Sequence, residues 1–271
     1  MPSPAGVQVL GPAVLAAIHN AELPQKDQLC GAFWASLALR AFGISQLDGE
    51  PVDQDFVARE AGATLAEGDP EQWVPPSERS RADYRLELPV AGEEATCGTA
   101  ASVLPGVIER VSAGELAVVS VAGPWTAESV TRLVQGVAER APETVLIANL
   151  RTGRFWASRP SPATLLAVLA GEQVQGPPSE WDEGHFVSLA LLVRGGGGVL
   201  IGIRDTYRSL GWNGHHLQPP VAVAAALRRD DGLEGGVLCV CRAGDADTVR
   251  GHLDAEGFDL RDWDNGSVPA S

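Results

Sequence analysis

The sequence predicts an α+β fold in which an N-terminal helical part carrying Cys30 faces a mainly antiparallel sheet. Two patterns support this prediction. Residues 30–42 form a dense apolar stretch that stops at Gly43, which is typical of a buried helix. Residues 186–193 and 199–203 are apolar segments separated by a glycine-rich turn, which is typical of an antiparallel hairpin.

The other elements follow from apolar periodicity along the chain. Residues 45–95 are acidic and rich in Pro and Gly, so we expect a surface excursion there, and residues 98–172 read as an inserted β-α-β segment. We predict a single domain over residues 1–271. Helices are predicted at 7–19, 53–61, 98–113, 126–140, 162–171, 219–228 and 245–256, and strands at 115–122, 143–149, 154–157 and 236–241.

Composition excludes several classes of function. The formal net charge of −15 argues against a nucleic-acid partner, because such binding depends on clustered Lys and Arg. Apolar stretches fall short of the ~20 residues of a membrane span, so no membrane association is expected. Residues 1–7 lack the features of a secretory signal, and four cysteines are too few for a disulfide framework. We therefore expect a cytoplasmic protein; its oligomeric state is left open.

Cysteine acyl-transfer chemistry needs a thiol at a helix start, an imidazole and a group that orients the imidazole, and the sequence supplies all three. Cys30 falls in the first turn of its predicted helix, where the helix dipole favours a thiolate and free backbone N–H groups offer an oxyanion site. The predicted hairpin puts His185 opposite Asp205 or Tyr207. In either register His185 and Asp205 project from the same face, within direct or diagonal reach.

These residues resemble the papain-like cysteine peptidases, and most of all the bacterial branch that cleaves double-glycine leader peptides. In that branch an Asp-Cys-Gly helix start precedes a Gly-His-Phe-Val strand, and an aspartate lies on the next strand. Here the counterparts are Gln-Leu-Cys-Gly at 28–31, Gly-His-Phe-Val at 184–187 and Arg-Asp-Thr-Tyr at 204–207. The resemblance covers these two blocks of the chain and implies a papain-like fold.

Matched residue by residue, the resemblance implies a role for each group. Cys30 would be the nucleophile, His185 the general base and acid, and Asp205 the group that orients His185. A glutamine ahead of the cysteine would complete the oxyanion hole, and Gln25 and Gln28 are the two candidates for it.

The sequence departs from the family pattern at two points. The position six residues before the cysteine, where the family usually has its glutamine, is Pro24. An alignment on the papain-style Cys-Gly-x-Cys-Trp motif would put Phe33 at the nucleophile position and leave Cys30 in a structural place. A catalytically inactive papain-like binding module therefore stays an alternative.

The resemblance implies a cytoplasmic peptidase or amidase that acts on a peptide or peptide-like natural-product precursor and requires no metal or organic cofactor. A transacylase or amide synthase with the same triad stays open, because an amine can replace water in resolving the acyl-enzyme. A small-molecule enzyme built on the β-α-β segment is a further alternative, although that segment lacks the Gly-x-Gly-x-x-Gly sequence of a dinucleotide site.

Four further features are weaker candidates. Cys97 precedes a predicted helix and is the reserve nucleophile, and Asn213 is the reserve orienting group. The adjacent histidines at 215–216 and the Cys-Val-Cys at 239–241 lack zinc-site spacing, so no metal is predicted. Trp212 resembles the aromatic that shields the triad in papain-like enzymes; simple packing under a loop is the alternative.

Overall fold

The computed structural model describes residues 6–92 and 96–270, which form eight α-helices and nine β-strands. Short 3-10 turns connect several of these elements. The helices are α1 (Leu15–Glu22), α2 (Cys30–Ala41), α3 (Gln54–Glu60), α4 (Leu104–Val111), α5 (Ala127–Arg140), α6 (Pro162–Ala170), α7 (Pro220–Arg228) and α8 (Ala246–Ala255). The strands are β1 (Gly6–Val9), β2 (Gln46–Leu47), β3 (Glu50–Pro51), β4 (Leu116–Val121), β5 (Val145–Arg151), β6 (Gly184–Arg194), β7 (Val199–Arg204), β8 (His215–Gln218) and β9 (Gly236–Arg242).

One seven-stranded sheet organises the molecule. Its strand order is β4-β9-β5-β6-β7-β8, and β1 pairs with β6 beside this path. Every pair of neighbouring strands is antiparallel. The protein is therefore a mixed α+β structure with an antiparallel sheet, which is the fold class that the sequence predicts.

The segment predicted as an inserted β-α-β unit belongs to this same sheet. Its strands β4 and β5 are parallel to each other, but β9 lies between them and pairs antiparallel with both. Strand β5 also pairs with β6, the strand that carries His185. Apolar periodicity identifies the two strands, whereas the return of the C-terminal β9 between them is a long-range event that a local pattern does not record.

Helices cover both faces of the sheet. On one face, α2 packs with α1, α3 and α4 over strand residues that include Ile147 and Phe186. On the other face, α5, α7 and α8 pack over residues that include Leu146 and Ala148. Because alternate strand residues point to opposite faces, β5 is buried on both sides and reads as a continuous apolar run. None of the helices in the described ranges is long and apolar enough to cross a membrane.

Helix α2 is the most enclosed helix on the first face, as its apolar sequence predicts. Ten of its twelve residues are buried, among them Phe33 and Trp34, which have no exposed surface. The helix ends at Ala41, and Gly43 takes a φ of +97°, a left-handed conformation that favours glycine after a helix. Burial of this whole element fixes its first residue, Cys30, against the sheet.

The β6–β7 hairpin has the predicted form, with one irregularity that matters for the site. Its register shifts by one residue between Leu189 and Leu191, so β6 carries a bulge. Continued to the start of β6, the register beyond the bulge sets His185 opposite Tyr207 and diagonal to Asp205. Without the bulge, His185 and Asp205 would project from opposite faces.

The predicted helix at 7–19 is wrong in its first half. Residues Gly6–Val9 form β1, and α1 begins only at Leu15. Strand β5 pairs with β6 only as far as Ser188, so the rest of that edge is open, and β1 pairs there with residues 191–194. The free strand edge outweighs the weak helical periodicity of this segment.

Two other predicted elements also differ. The strand predicted at 154–157 is a 3-10 turn over Thr152–Arg154 followed by a single bridge between Trp156 and Pro178. The helix predicted at 98–113 begins as a 3-10 turn over Ala101–Val103 and becomes α-helical at Leu104.

Candidate active site

A cavity of about 290 Å³ lies where the start of α2 meets β5 and β6. Cys30 and His185 both line it. Pro70, Trp73 and Val74 reach it from the segment predicted as a surface excursion, so part of that segment forms a wall of the cavity.

Cys30 is the first residue of α2 and is partly exposed to the cavity. No side chain of the described residues caps this helix start. The first backbone N–H groups of a helix have no intrahelical acceptor, so they are available to an anion beside the sulfur.

Gly31 explains how the helix start comes so close to the sheet. A Cβ at this position would lie 2.9 Å from Cβ of Thr99 and 3.2 Å from Cε2 of Phe186. Both separations are shorter than ordinary carbon contacts, so only glycine allows α2 to approach β6 this closely. Phe186 follows His185 in sequence, and this close approach therefore sets the distance between thiol and imidazole.

His185 lies near the start of β6 and is 2% exposed. Its Nε2 is 3.1 Å from Oδ1 of Asp205 and 3.2 Å from the hydroxyl of Thr206. The ring lines the same cavity as the sulfur of Cys30. Burial alone lowers the pKa of His185, but Asp205 and Cys30 outweigh it and raise that pKa to about 10.

The carboxylate of Asp205 is buried against His185. Oδ1 accepts the backbone N–H of Thr206 at 2.7 Å, in addition to its contact with His185. Burial alone raises the pKa of Asp205, but the charge and hydrogen bond of His185, together with the imidazole of His216 that faces the carboxylate, hold it well below its ordinary range. Asp205 is thus an anion beside a cationic imidazole.

The backbone of Asp205 is fixed as well. Its N–H donates to the carbonyl of Gly214 at 2.7 Å, and its own carbonyl accepts from Nε2 of His19, on α1, at 2.6 Å. Burial lowers the pKa of His19 to about 4, so this ring is neutral and Nε2 carries its proton. The His19 ring stacks on Trp34 of α2, with ring centroids 5.2 Å apart. No motif or periodic pattern in the sequence indicates a role for His19.

Trp181 shields the pair of His185 and Asp205. Its ring lies edge-on to His185, with centroids 4.8 Å apart, and 5.6 Å from the ring of Tyr207. Its indole N–H donates to the carbonyl of Trp73 at 3.1 Å. Trp212, which the sequence suggests for this task, is 52% exposed. The sequence feature that could identify Trp181 is its position in the polar loop directly ahead of His185.

The two glutamine candidates have different surroundings. Gln25 is 3% exposed and lines the cavity, and its Oε1 has no hydrogen-bond partner among the described residues. Its backbone N–H donates to the carbonyl of Thr206 at 2.9 Å, which ties it to the segment after Asp205. Gln28 has a φ of +61°, and its Oε1 accepts the backbone N–H of Ala66. The side-chain amide of Gln28 is therefore held by the backbone of Ala66, whereas the Oε1 of Gln25 is not held by any of the described residues.

The reserve candidates lie apart from the triad geometry. Cys97 lines the same cavity, but it is 8% exposed and its thiol donates to the carbonyl of Ala91 at 2.8 Å. Asn213 is exposed, and its amide donates to Asn20 at 3.4 Å. The position that Asn213 would take beside His185 is filled by Asp205.

The remaining thiols and histidines do not converge. Cys239 and Cys241 are buried within β9, where burial raises the pKa of both, that of Cys241 to about 11. His216 faces Asp205, whereas His215 points towards Asn20, 3.3 Å away. Within residues 6–92 and 96–270, no group of three or more His, Cys, Asp or Glu side chains has an arrangement that could hold a metal ion.

One end of the cavity is charged. The side chain of Arg229 is 3% exposed, pairs with Asp231 at 2.5 Å and donates to Oδ1 of Asn149 at 3.2 Å. Arg229 has a φ of +50°, a strained conformation for a residue with a side chain, and such strain is concentrated at functional sites. Arg151 adds a second guanidinium 3.8 Å from Asp231.

Fold and site together define an α+β protein in which a cysteine at a helix start faces a histidine and an aspartate carried by a hairpin. Residues 10–264 match the model of a family of unknown function (DUF6885), and the chain belongs to that family. The match spans every residue of the site described above. A search of curated proteins found no match.

Proposed function

We propose that this protein is a cytoplasmic cysteine-dependent acyl-transfer enzyme of papain-like fold, a peptidase or amidase in which Cys30, His185 and Asp205 act as a triad. The observation that supports it is the convergence on one cavity of Cys30, at the start of α2, and a buried imidazole whose Nε2 lies 3.1 Å from a carboxylate oxygen. Nucleophile, base and orienting group thus lie at one site, as this chemistry needs.

The reaction would begin from the ion pair of the Cys30 thiolate and the His185 imidazolium. The sulfur attacks the carbonyl carbon of an amide or thioester and forms a C–S bond, and the carbonyl electrons move to the oxygen. Collapse of this tetrahedral adduct breaks the bond to the leaving group, which takes the proton of His185. Water or an amine then attacks the acyl-enzyme and gives its proton to His185, and the thiolate is released.

The oxyanion would lie at the start of α2. Backbone N–H groups of that first turn point towards the cavity end of the helix, and the amide of Gln25 lines the same cavity. Gln28 is the weaker candidate because its bond to the backbone N–H of Ala66 holds its side chain on that segment.

A peptide or peptide-like precursor is the substrate that the resemblance to leader peptidases suggests. The cavity has apolar and aromatic walls from Trp73, Trp181 and Phe186 and a charged end at Arg229. Such a combination suits a chain with apolar side groups and a polar backbone, because a few polar groups orient a ligand that apolar walls enclose.

Alkylation of Cys30 by iodoacetamide at pH 6 tests the proposal. An ordinary thiol of pKa ~8.5 is less than about 1% ionised at this pH, whereas an ion-paired thiolate is fully reactive. We expect wild-type Cys30 to react about 100-fold faster than Cys30 in His185→Ala. Peptide mapping by mass spectrometry locates the label, and Cys30→Ser gives the background from the other thiols.

Two outcomes would contradict the proposal. Wild-type Cys30 reacting no faster at pH 6 than free cysteine would favour the inactive binding module. A His185→Ala variant that is folded and reacts at the wild-type rate would mean that the imidazole does not activate the sulfur.

A further inference from the structure

The carboxylate of Asp205 is held on one oxygen only by the groups described so far. Oδ1 contacts His185 and the backbone of Thr206. Oδ2 is buried and has no hydrogen-bond partner among the described residues, although Nε2 of His216 lies 3.5 Å away. A buried carboxylate oxygen with no donor is costly, so the proton state of His216 decides whether this contact is attractive or repulsive.

Gln218 determines that proton state. Its Oε1 accepts the backbone N–H of Trp156 at 2.8 Å, which identifies the other amide atom as Nε2 because a backbone N–H can only donate. That Nε2 donates to the carbonyl of Trp156 at 2.9 Å and lies 3.1 Å from Nδ1 of His216. An amide N–H has no acceptor lone pair, so Nδ1 of His216 must accept and be unprotonated.

A neutral histidine with a bare Nδ1 carries its proton on Nε2, the atom that faces Asp205. Water is largely kept from competing for either nitrogen, because Gln218 has no exposed surface and His216 is 4% exposed. The ring is also held edge-on against Phe155, with centroids 5.7 Å apart. A cavity of about 10 Å³ beside Asp205 and His216 is at the lower limit for one water molecule, so solvent has little room to replace His216 as the donor.

We propose that His216 is a positioning residue whose Nε2–H is aimed at Oδ2 of Asp205, and that Gln218 sets this tautomer from the backbone of Trp156. Contact on both oxygens keeps the carboxylate from rotating, so Oδ1 stays on Nε2 of His185 and the imidazole keeps its orientation in the cavity that Cys30 also lines. The tautomer stands on its own, whereas its catalytic consequence rests on the proposed function.

Nitrogen-15 NMR of the imidazole rings tests the tautomer directly. We expect His216 in the wild type at pH 7 to have an unprotonated Nδ1 and a protonated Nε2. In Gln218→Met, which keeps the side-chain length but has no donor, we expect a mixture of the two tautomers. A wild-type His216 protonated on Nδ1, or a Gln218→Met protein with an unchanged tautomer, would overturn the proposal.

Two matched variants test the positioning role. His216→Gln places an amide donor near the position of Nε2, whereas His216→Met has similar bulk and no donor. We expect iodoacetamide to alkylate Cys30 at pH 6 about tenfold more slowly in His216→Met, the size of one hydrogen bond to a charged group, and the rate to recover in His216→Gln. His215→Met, on the neighbouring residue that faces away from Asp205, controls for general damage to β8 and should react at the wild-type rate.

Equal rates in folded His216→Met and wild type would overturn the positioning role, and so would a loss that His216→Gln does not restore. Circular dichroism and thermal unfolding establish that each variant is folded. Failure of the proposed function has a different signature, because Cys30 would then be unreactive in the wild type itself while the NMR tautomer stayed as expected.

Discussion

Cys30 and Cys239 lie on opposite faces of the same sheet, and their surroundings differ in kind. Cys239 is enclosed in the apolar core under α5, α7 and α8, where burial raises its pKa. Cys30 lies where a helix start meets two strands, and it lines one cavity together with the imidazole of His185. Cys239 has no exposed surface and apolar neighbours, whereas Cys30 is partly exposed and has polar neighbours, and both differences favour a reactive thiol at Cys30.

The largest effect on this comparison should come from Asp205→Asn. The substitution keeps the side-chain shape but removes the charge that sustains His185 as a buried cation. Loss of one member of a buried ion pair costs about 3 kcal/mol, and we expect the free energy of unfolding to fall by about that amount at pH 6. Urea denaturation of the two proteins measures it.

Asp247→Asn is the matched control for charge removal. Asp247 pairs with Arg250 at 3.3 Å, but its side chain is fully exposed, so the pair is screened by solvent. We expect no measurable change in stability for this variant. Equal losses in both variants would mean that the surroundings of Asp205 give its charge no special weight.

The pH dependence of stability sharpens the same point. The pKa of His185 is raised from 6.5 to about 10. Its contribution to the free energy of unfolding is therefore complete below pH 6.5 and is lost as pH rises to about 10. The pKa of Asp205 is lowered from 3.8, so its contribution is present above that pH and is lost as pH falls below it. The stability advantage of wild type over His185→Gln should therefore be greatest between pH 4 and 6.5. A difference that grows from pH 7 to 10 would contradict this sign.

Gly31→Ala tests the close approach of α2 that brings Cys30 to the site. Its new methyl would lie 2.9 Å from Thr99, so we expect α2 to shift and the free energy of unfolding to fall by about 1–3 kcal/mol. Gly106→Ala, in α4, is the matched control: a Cβ there meets no atom within 4 Å, and alanine should stabilise by about 0.5–1 kcal/mol. Thermal and urea unfolding separate the two, and a neutral Gly31→Ala would show that α2 tolerates displacement.

Local sequence patterns are sufficient to predict the helix and the hairpin that position the candidate catalytic residues. Helix α2 and the β6–β7 hairpin are continuous in sequence, so apolar periodicity and a glycine turn identify them. The position of β9 between β4 and β5 is decided by packing across the whole chain. The bulge in β6 is likewise invisible in the sequence, yet it returns His185 and Asp205 to one face.

The site divides in the same way. Cys30, His185 and Asp205 have the side chains that acyl-transfer chemistry requires, and the hairpin brings the last two within reach. The sequence does not predict that His216 and Trp181 lie beside Asp205 and His185. Each of them belongs to a loop or a short strand whose path follows no periodic pattern. The sequence instead indicates Trp212, which lies near Asp205 along the chain but is exposed in the structure.

The smallest expected effect belongs to Cys239→Ala. Removing the sulfur leaves a small cavity in the apolar face, and losing a group of this size costs about 1 kcal/mol in the free energy of unfolding. Alkylation of Cys30 at pH 6 should keep its wild-type rate, because the site described here lies at the start of α2 on the other face. A slower reaction at Cys30 would mean that a change in packing around Cys239 is transmitted through the sheet to the opposite face. The surroundings of the two thiols would then be coupled.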